Sequence, residues 1–205
     1  MGVMRSIGVL LFPGFELLDV FGPLEMYGMA PEHFGIHLVA ENPGQVASKQ
    51  GPRSVVETGF ETEQQFDILL VPGGQGTRDE VNNSTLLEWI RNQAANSEFV
   101  TSVCTGSALL ATAGLLDGKR ATTNKRAFSW VMSQGDKVEW LKQARWVKDE
   151  KFFTSSGVTA GMDMTLALIA GILGRETADR IATQTEYEWH SDASWDPFAK
   201  LNGLV

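Results

Sequence analysis

Short apolar runs alternate along this chain with longer stretches of helical period, a pattern that predicts βαβ units built around a mainly parallel sheet. Ile7 to Leu11 reads as the first strand. Pro13-Gly14 breaks it, and Leu17, Leu18, Phe21, Leu24 and Met26 then recur at helical spacing up to about Met29. Ile36 to Ala40 reads as the second strand, closed by the turn residues Asn42-Pro43-Gly44. The polar stretch Ala47 to Val56 alternates weakly and predicts a small hairpin on one edge of the sheet.

Ile68 to Val71 is an unbroken apolar run, the mark of a strand buried on both faces, and it leads directly into Pro72-Gly73-Gly74-Gln75-Gly76. A helix is predicted from about Ser84 to Ala95, then a strand over Phe99 to Val103 and a small-residue helix over Thr105 to Ala113 that Gly114 ends. Cys104 stands at the joint between that strand and that helix. Ala144 to Lys148 and Lys151 to Ser155 flank Asp149-Glu150 as a hairpin. Helices over Ala160 to about Leu173 and Glu176 to about Tyr187 complete the reading, with no repeats, low-complexity tracts or linkers.

The length, 205 residues, suits one domain over 1–205, and a 43% apolar composition suffices for a buried core. With 17 Lys+Arg against 25 Asp+Glu the net charge is −8, which repels phosphate backbones and anionic lipid, so neither nucleic acid nor a membrane is expected as a partner. The apolar run near the N-terminus is too short to span a bilayer and lacks a charged region and cleavage site. A single cysteine forms no intrachain disulfide, which fits a reducing cytoplasm.

The chemistry is concentrated at Ser102-Val103-Cys104-Thr105-Gly106-Ser107. A nucleophile elbow holds its reactive residue on a strained strand-to-helix turn and needs a small residue two positions on, a need that Gly106 meets. First-turn N–H groups would favour the thiolate, predicting a thiol that titrates below the roughly 8.5 of a free cysteine. The Thr105 N–H would then face an oxyanion or carbanion formed on the substrate. A lone cysteine is more often a small buried hydrophobe, but the strand-then-helix context weighs against that here. Gly73 and Gly74 are candidate second donors, since loops at the carboxyl ends of parallel strands converge on one crevice.

A cysteine nucleophile needs a proton partner. His33 and His37 belong to a loop and a strand away from those ends, and His190 could fold back over the site from the tail. Glu16 and Asp19, at the start of the first helix, are alternative acids, although acids there are usually only dipole or capping residues.

Taken in order, Leu11-Phe12-Pro13-Gly14, Leu18-Asp19-Val20-Phe21-Gly22-Pro23, Val71-Pro72-Gly73-Gly74 and the elbow resemble the ThiJ/PfpI superfamily, a class I glutamine amidotransferase-like group. The stretch Ala113 to Thr123 and the stretch Gly157-Val158-Thr159-Ala160-Gly161-Met162-Asp163 resemble its isonitrile hydratase branch. The resemblance implies a flavodoxin-like α/β/α sandwich, a homodimer, and Asp19 as the acid paired with Cys104. Two like-charged groups in contact work only if one proton is shared between them. Peptidase-like members carry histidine after the cysteine where this chain has Thr105, so a Cys-His peptidase lacks its base. Relatives of the hydratase branch tend to carry histidine where this chain has Asn124, which marks that position as a pocket residue.

These readings lead to a cofactor-free, metal-free hydratase that converts an isonitrile to an N-substituted formamide. Cys104 is its nucleophile and Asp19 its proton partner. Gly73, Gly74 and Thr105 position the substrate, and His190 and Asn124 lie near the pocket, for which the chain's Trp and Met residues suggest apolar walls. A glyoxalase or deglycase acting on α-oxoaldehydes would use the same pair, and a redox sensor or holdase would use the thiol without turnover. A transcription regulator would need an appended helix-turn-helix module, for which this acidic chain leaves no room after its last helix.

Overall fold

All four residues of Ile68–Val71 are buried, as a strand in the middle of a parallel sheet requires, with helices covering both of its faces. The computed structural model describes residues 3–205. Its strands are β1 (Arg5–Leu10), β2 (Phe34–Ala40), β3 (Gly44–Ala47), β4 (Arg53–Val56), β5 (Thr58–Gly59), β6 (Ile68–Val71), β7 (Phe99–Ser102), β8 (Arg120–Ala121), β9 (Glu139–Trp140), β10 (Trp146–Asp149) and β11 (Phe152–Ser155). The helices are α1 (Leu17–Gly28), α2 (Thr77–Glu80), α3 (Ser84–Asn96), α4 (Gly106–Thr112), α5 (Phe128–Met132), α6 (Ala160–Leu173), α7 (Arg175–Gln184) and α8 (Pro197–Leu201).

The central sheet has seven strands in the order β10-β11-β7-β6-β1-β2-β5. Every neighbouring pair is parallel except the β10–β11 hairpin. The chain leaves β1 to one side for β2 and returns to the other side for β6, and this reversal opens a crevice at the carboxyl ends of β1 and β6, as in flavodoxin-like sheets. Helix α1 packs on α6 and α6 on α7, while α3 packs beside α4. Tyr27, Phe12, Phe15, Phe66 and Phe128 are the bulkiest fully buried side chains, and the Tyr27 ring meets Phe34 edge-on at 5.0 Å.

Periodicity located the long elements to within a few residues, and the differences have local causes. The predicted edge hairpin forms, but β3 and β4 make a separate two-stranded sheet, and the two-residue β5 is the edge strand. Bonds from the Gly14 N–H to the Ala47 carbonyl and from the Lys49 N–H to the Phe15 carbonyl tie that hairpin over the loop after β1. The last long helix ends at Gln184, short of Tyr187, because Glu186 adopts a positive φ of 50° and the Tyr187 N–H turns back to the Ala182 carbonyl. Elements of two to five residues, such as α2, α5, α8 and the β8–β9 pair, carry too few positions to show a period. Among the described residues no helix is long and apolar enough to cross a membrane.

Beyond α7 the chain is anchored in part through a buried ion pair. Arg145 Nη2 lies 2.6 Å from Asp163 Oδ2, and both side chains are nearly inaccessible. Asp163 Oδ1 also accepts the Tyr187 hydroxyl at 3.0 Å and the His190 N–H at 2.9 Å, so a single carboxylate gathers β10, α6 and the C-terminal segment. Removing one member of a buried pair leaves an uncompensated charge, a loss of about 3–5 kcal/mol. Arg145→Leu should therefore lower the unfolding free energy by that amount, read as a lower urea midpoint at unchanged m-value, and Arg145→Leu/Asp163→Leu should recover part of the loss.

Candidate functional site

Cys104 follows the last residue of β7 by two positions and precedes α4, in a left-handed conformation with φ of 55°. Such a conformation costs a non-glycine residue on the order of 1–3 kcal/mol and persists only where the surroundings over-determine it. Here they do. The Cys104 N–H bonds the Ser156 carbonyl at 3.0 Å, and the Cys104 carbonyl accepts the Thr123 hydroxyl at 2.8 Å and the Ser107 hydroxyl at 3.2 Å. Gly106 lies so close to the Val71 carbonyl that no β-carbon fits, which is the tight turn expected at that position.

The backbone N–H groups of Thr105 and Val158 face the sulfur and favour its ionised form. Val158, a β-branched residue, is itself held at a φ of 38°, so two strained residues from different loops converge on one thiol. The Asp19 carboxyl lies beside the thiol, close enough that each shifts the titration of the other. Asp19, in the first turn of α1, has no solvent exposure. Its Oδ2 accepts the Gly73 N–H at 2.9 Å, and its Oδ1 meets no N–H or hydroxyl. A β-carbon on Gly73 would stand 2.5 Å from the Thr105 nitrogen and 2.9 Å from Asp19 Oδ2, so only glycine lets strand β6, the elbow and α1 meet there.

The sulfur opens into a cavity of about 440 Å³ bordered by Glu16, Lys49, Arg78, Asn124, Arg126 and Val158. Its walls are polar and charged, which corrects the expectation of an apolar pocket; the chain's tryptophans do not line it.

A model of the DJ-1/PfpI family matches residues 5–171. The chain belongs to the DJ-1/PfpI family. It is 39% identical over 182 residues to an isonitrile hydratase from Pseudomonas putida, covering 89% of this chain and 78% of that protein. A transcriptional regulator of the helix-turn-helix type from Pseudomonas aeruginosa, GbdR, is 31% identical over 90% of this chain, which spans about half of the regulator's length (51%). Among solved structures, a ThiJ/PfpI family protein from Pseudomonas syringae superposes with a TM-score of 0.84 at 31% identity, over 92% of this chain and 76% of that one.

In this DJ-1/PfpI protein the candidate residues are not all brought together. Cys104, Asp19, Gly73, Gly74 and Thr105 meet at the crevice, and Asn124 borders the cavity. His190 does not: it lines a different cavity with Arg145, Asp192 and Trp195, where the bond from its own N–H to Asp163 holds it. His37 packs against Phe66 on β2 and His33 sits beside Glu32, so no histidine borders the thiol. The glycine N–H groups are not free donors either, because Gly73 gives its proton to Asp19 and Gly74 gives its proton to the Thr105 hydroxyl at 3.0 Å. Thr105 is locked further by the Thr77 hydroxyl at 3.1 Å. The second donor at the sulfur is Val158, which single-residue reasoning passed over; the ordered stretch Gly157-Val158-Thr159 was its only signal.

Lys49, Arg78 and Arg126 also went unnoticed, since no motif announces them. Lys49 arrives on the β3–β4 hairpin. Arg126 and Asn124 flank Lys125, whose buried ammonium bonds the Thr122 hydroxyl at 2.7 Å and the Ala144 carbonyl at 2.5 Å. With Thr123 pinned to the elbow and Lys125 anchored inward, the intervening side chains are left to the cavity.

Burial, followed by the neighbouring charge of Glu16, pushes the Asp19 carboxyl from an ordinary 3.8 up to about 8, against the pull of the Gly73 N–H. Burial and the charge of Asp19 likewise push the Cys104 thiol up, and the N–H groups of Thr105 and Val158 offset only part of this. That corrects the expectation of a thiol below its free value: the helix start is outweighed by loss of water and by the carboxylate. Both groups being raised means that the pair keeps one proton between them over a wide pH range.

Because folded Asp19 binds its proton more tightly than the unfolded chain does, stability should fall as pH rises from about 4 to about 8. Asp19→Asn abolishes that slope. The variant's melting temperature should therefore gain on the wild type steadily across this window, as differential scanning calorimetry at stepped pH would record.

Proposed function

We propose that the protein is a cofactor-free hydratase that converts an isonitrile to an N-substituted formamide. The observation that carries this reading is a fully buried carboxyl beside a thiol that opens into a cavity. Identity of 39% to the Pseudomonas putida isonitrile hydratase supports it.

In this reading the Cys104 sulfur attacks the terminal isonitrile carbon, forming an S–C bond while the shared proton moves from Asp19 to that carbon. The product is a thioimidate, with carbon doubly bonded to the substrate nitrogen. Asp19, now ionised, takes a proton from a water that adds to the same carbon, and the tetrahedral adduct collapses with loss of the thiolate. The nitrogen gains a proton, the carbon keeps the water oxygen as the formamide carbonyl, and the pair recovers its proton, so no oxidant or metal is consumed. The N–H groups of Thr105 and Val158 stabilise the thiolate as it forms and as it leaves.

The substitution Cys104→Ala should abolish formamide production while leaving the circular dichroism spectrum unchanged. Asp19→Asn should lose about 10²–10⁴ in kcat with a smaller change in KM, since asparagine can still donate to the thiolate but cannot pass a proton on. In the wild type, kcat/KM should rise with pH through about 8, where the pair gives up its first proton. In Asp19→Asn this limb should move higher, because the only remaining proton belongs to a thiol that burial holds on. Gas-chromatographic assay of formamide from a panel of isonitriles measures all three. Near-normal turnover by Cys104→Ala would overturn the reading.

A further inference from the structure

The charges around the thiol run opposite to those of the molecule. The chain carries a net −8, yet the cavity above Cys104 is bordered by three cations, Lys49, Arg78 and Arg126, and one carboxylate, Glu16. Glu16 is already matched: its Oε2 lies 3.8 Å from the Lys49 ammonium, and its Oε1 accepts from the Gln50 amide. Among the described residues neither arginine forms a salt bridge. The Asp19–Cys104 pair holds one negative charge at most, so the lining stays net positive.

The two arginines are also differently held. Arg78 is braced: its guanidinium stacks on Trp130 at 4.1 Å, and its Nη1 donates to the Thr77 hydroxyl at 3.2 Å and the Gly74 carbonyl at 3.4 Å. These neutral partners leave its charge unspent. Arg126 is exposed and its guanidinium hydrogen-bonds no other group among the described residues, while the anchored Lys125 beside it holds the backbone at the rim. A guanidinium presents a planar fork that matches a carboxylate in two bonds at once. Asn124, next to Arg126 and on the same cavity, adds a neutral amide to that rim.

We propose that this cavity selects substrates that carry a carboxylate within a few atoms of the carbon attacked by Cys104, with Arg126 and Arg78 as the residues that select for the charge. The proposal rests on Cys104 being the nucleophile, as inferred above, and adds that its natural isonitrile is an anion and not a plain hydrocarbon. A cleft lined by one sign of charge raises the local concentration of the opposite ion by about 10 to 10³, an effect that salt weakens.

Two reagents that differ only in charge test it without relying on turnover. Iodoacetate and iodoacetamide both alkylate the sulfur: an S–C bond forms, the C–I bond breaks, iodide leaves and the thiol proton passes to solvent. The ratio of their second-order rate constants on the folded protein, divided by the same ratio for 2-mercaptoethanol, should reach about 10 at low ionic strength and fall towards 1 in concentrated salt. Arg126→Ala and Arg78→Ala should each cut it several-fold, and Arg126→Lys should keep most of it. A normalised ratio at or below 1 in the wild type, one that both alanine variants leave unchanged, or a thiol that neither reagent reaches would overturn the proposal.

The second arm compares isocyanoacetate with its methyl ester, where kcat/KM should favour the anion by a similar factor, through KM. A preference for the ester would overturn the proposal. If neither compound is hydrated while the alkylation ratio stands, hydration is the reading that falls and selection for an anion survives it.

Discussion

A carboxyl and a thiol pressed together away from water can hold only one negative charge between them, and the arrangement around the crevice follows from that constraint. Asp19 is fully buried, and burial opposes ionisation of both partners. The protein therefore supplies N–H groups in place of water, one from Gly73 to the carboxyl and one each from Thr105 and Val158 to the sulfur. Each donor comes from a different strand end, so the pair exists only where β6, β7 and β11 all terminate on the same side of the sheet.

The strain at Cys104 and Val158 belongs to the same arrangement. A φ of 55° at one and 38° at the other is what turns the sulfur and the opposing N–H towards each other. Neither residue would hold that conformation alone. The surrounding bonds supply the restraint: Ser156 to the Cys104 N–H, Thr123 and Ser107 to its carbonyl. The polar residues packed around the elbow thus act first as a backbone scaffold. Their contribution to chemistry is indirect, through the position they impose on one side chain.

How far this was legible from the residues depended on range. Strands such as Ile68–Val71 and the helix Ala160–Leu173 carry enough residues of one period to be seen, and the elbow announces itself because a nucleophile, a turn and a small residue are contiguous. Asp19 could be singled out only by resemblance, since an acid at a helix start usually serves the dipole. Val158, Lys49, Arg78 and Arg126 were invisible for a different reason: each reaches the cavity on a separate loop, and nothing in the neighbouring residues distinguishes them from solvated surface charge or ordinary core. The misjudged thiol has the same origin. The N–H groups near it could be inferred from the turn, whereas burial, the larger effect, depends on everything packed above it.

The C-terminal segment has a role that is independent of the crevice. Strand β10 is the outermost strand on its side, and an outermost strand presents unpaired backbone groups to any other chain. Here the Ala193 carbonyl takes the N–H of Arg145 at 2.8 Å and that of Trp146 at 3.4 Å, so the returning tail occupies the start of that edge. At the opposite side the two-residue β5 covers only Val39 and Ala40 of β2. The start of the β10 edge is occupied by a strap drawn from the same chain, which a second molecule would have to displace before it could add a strand there.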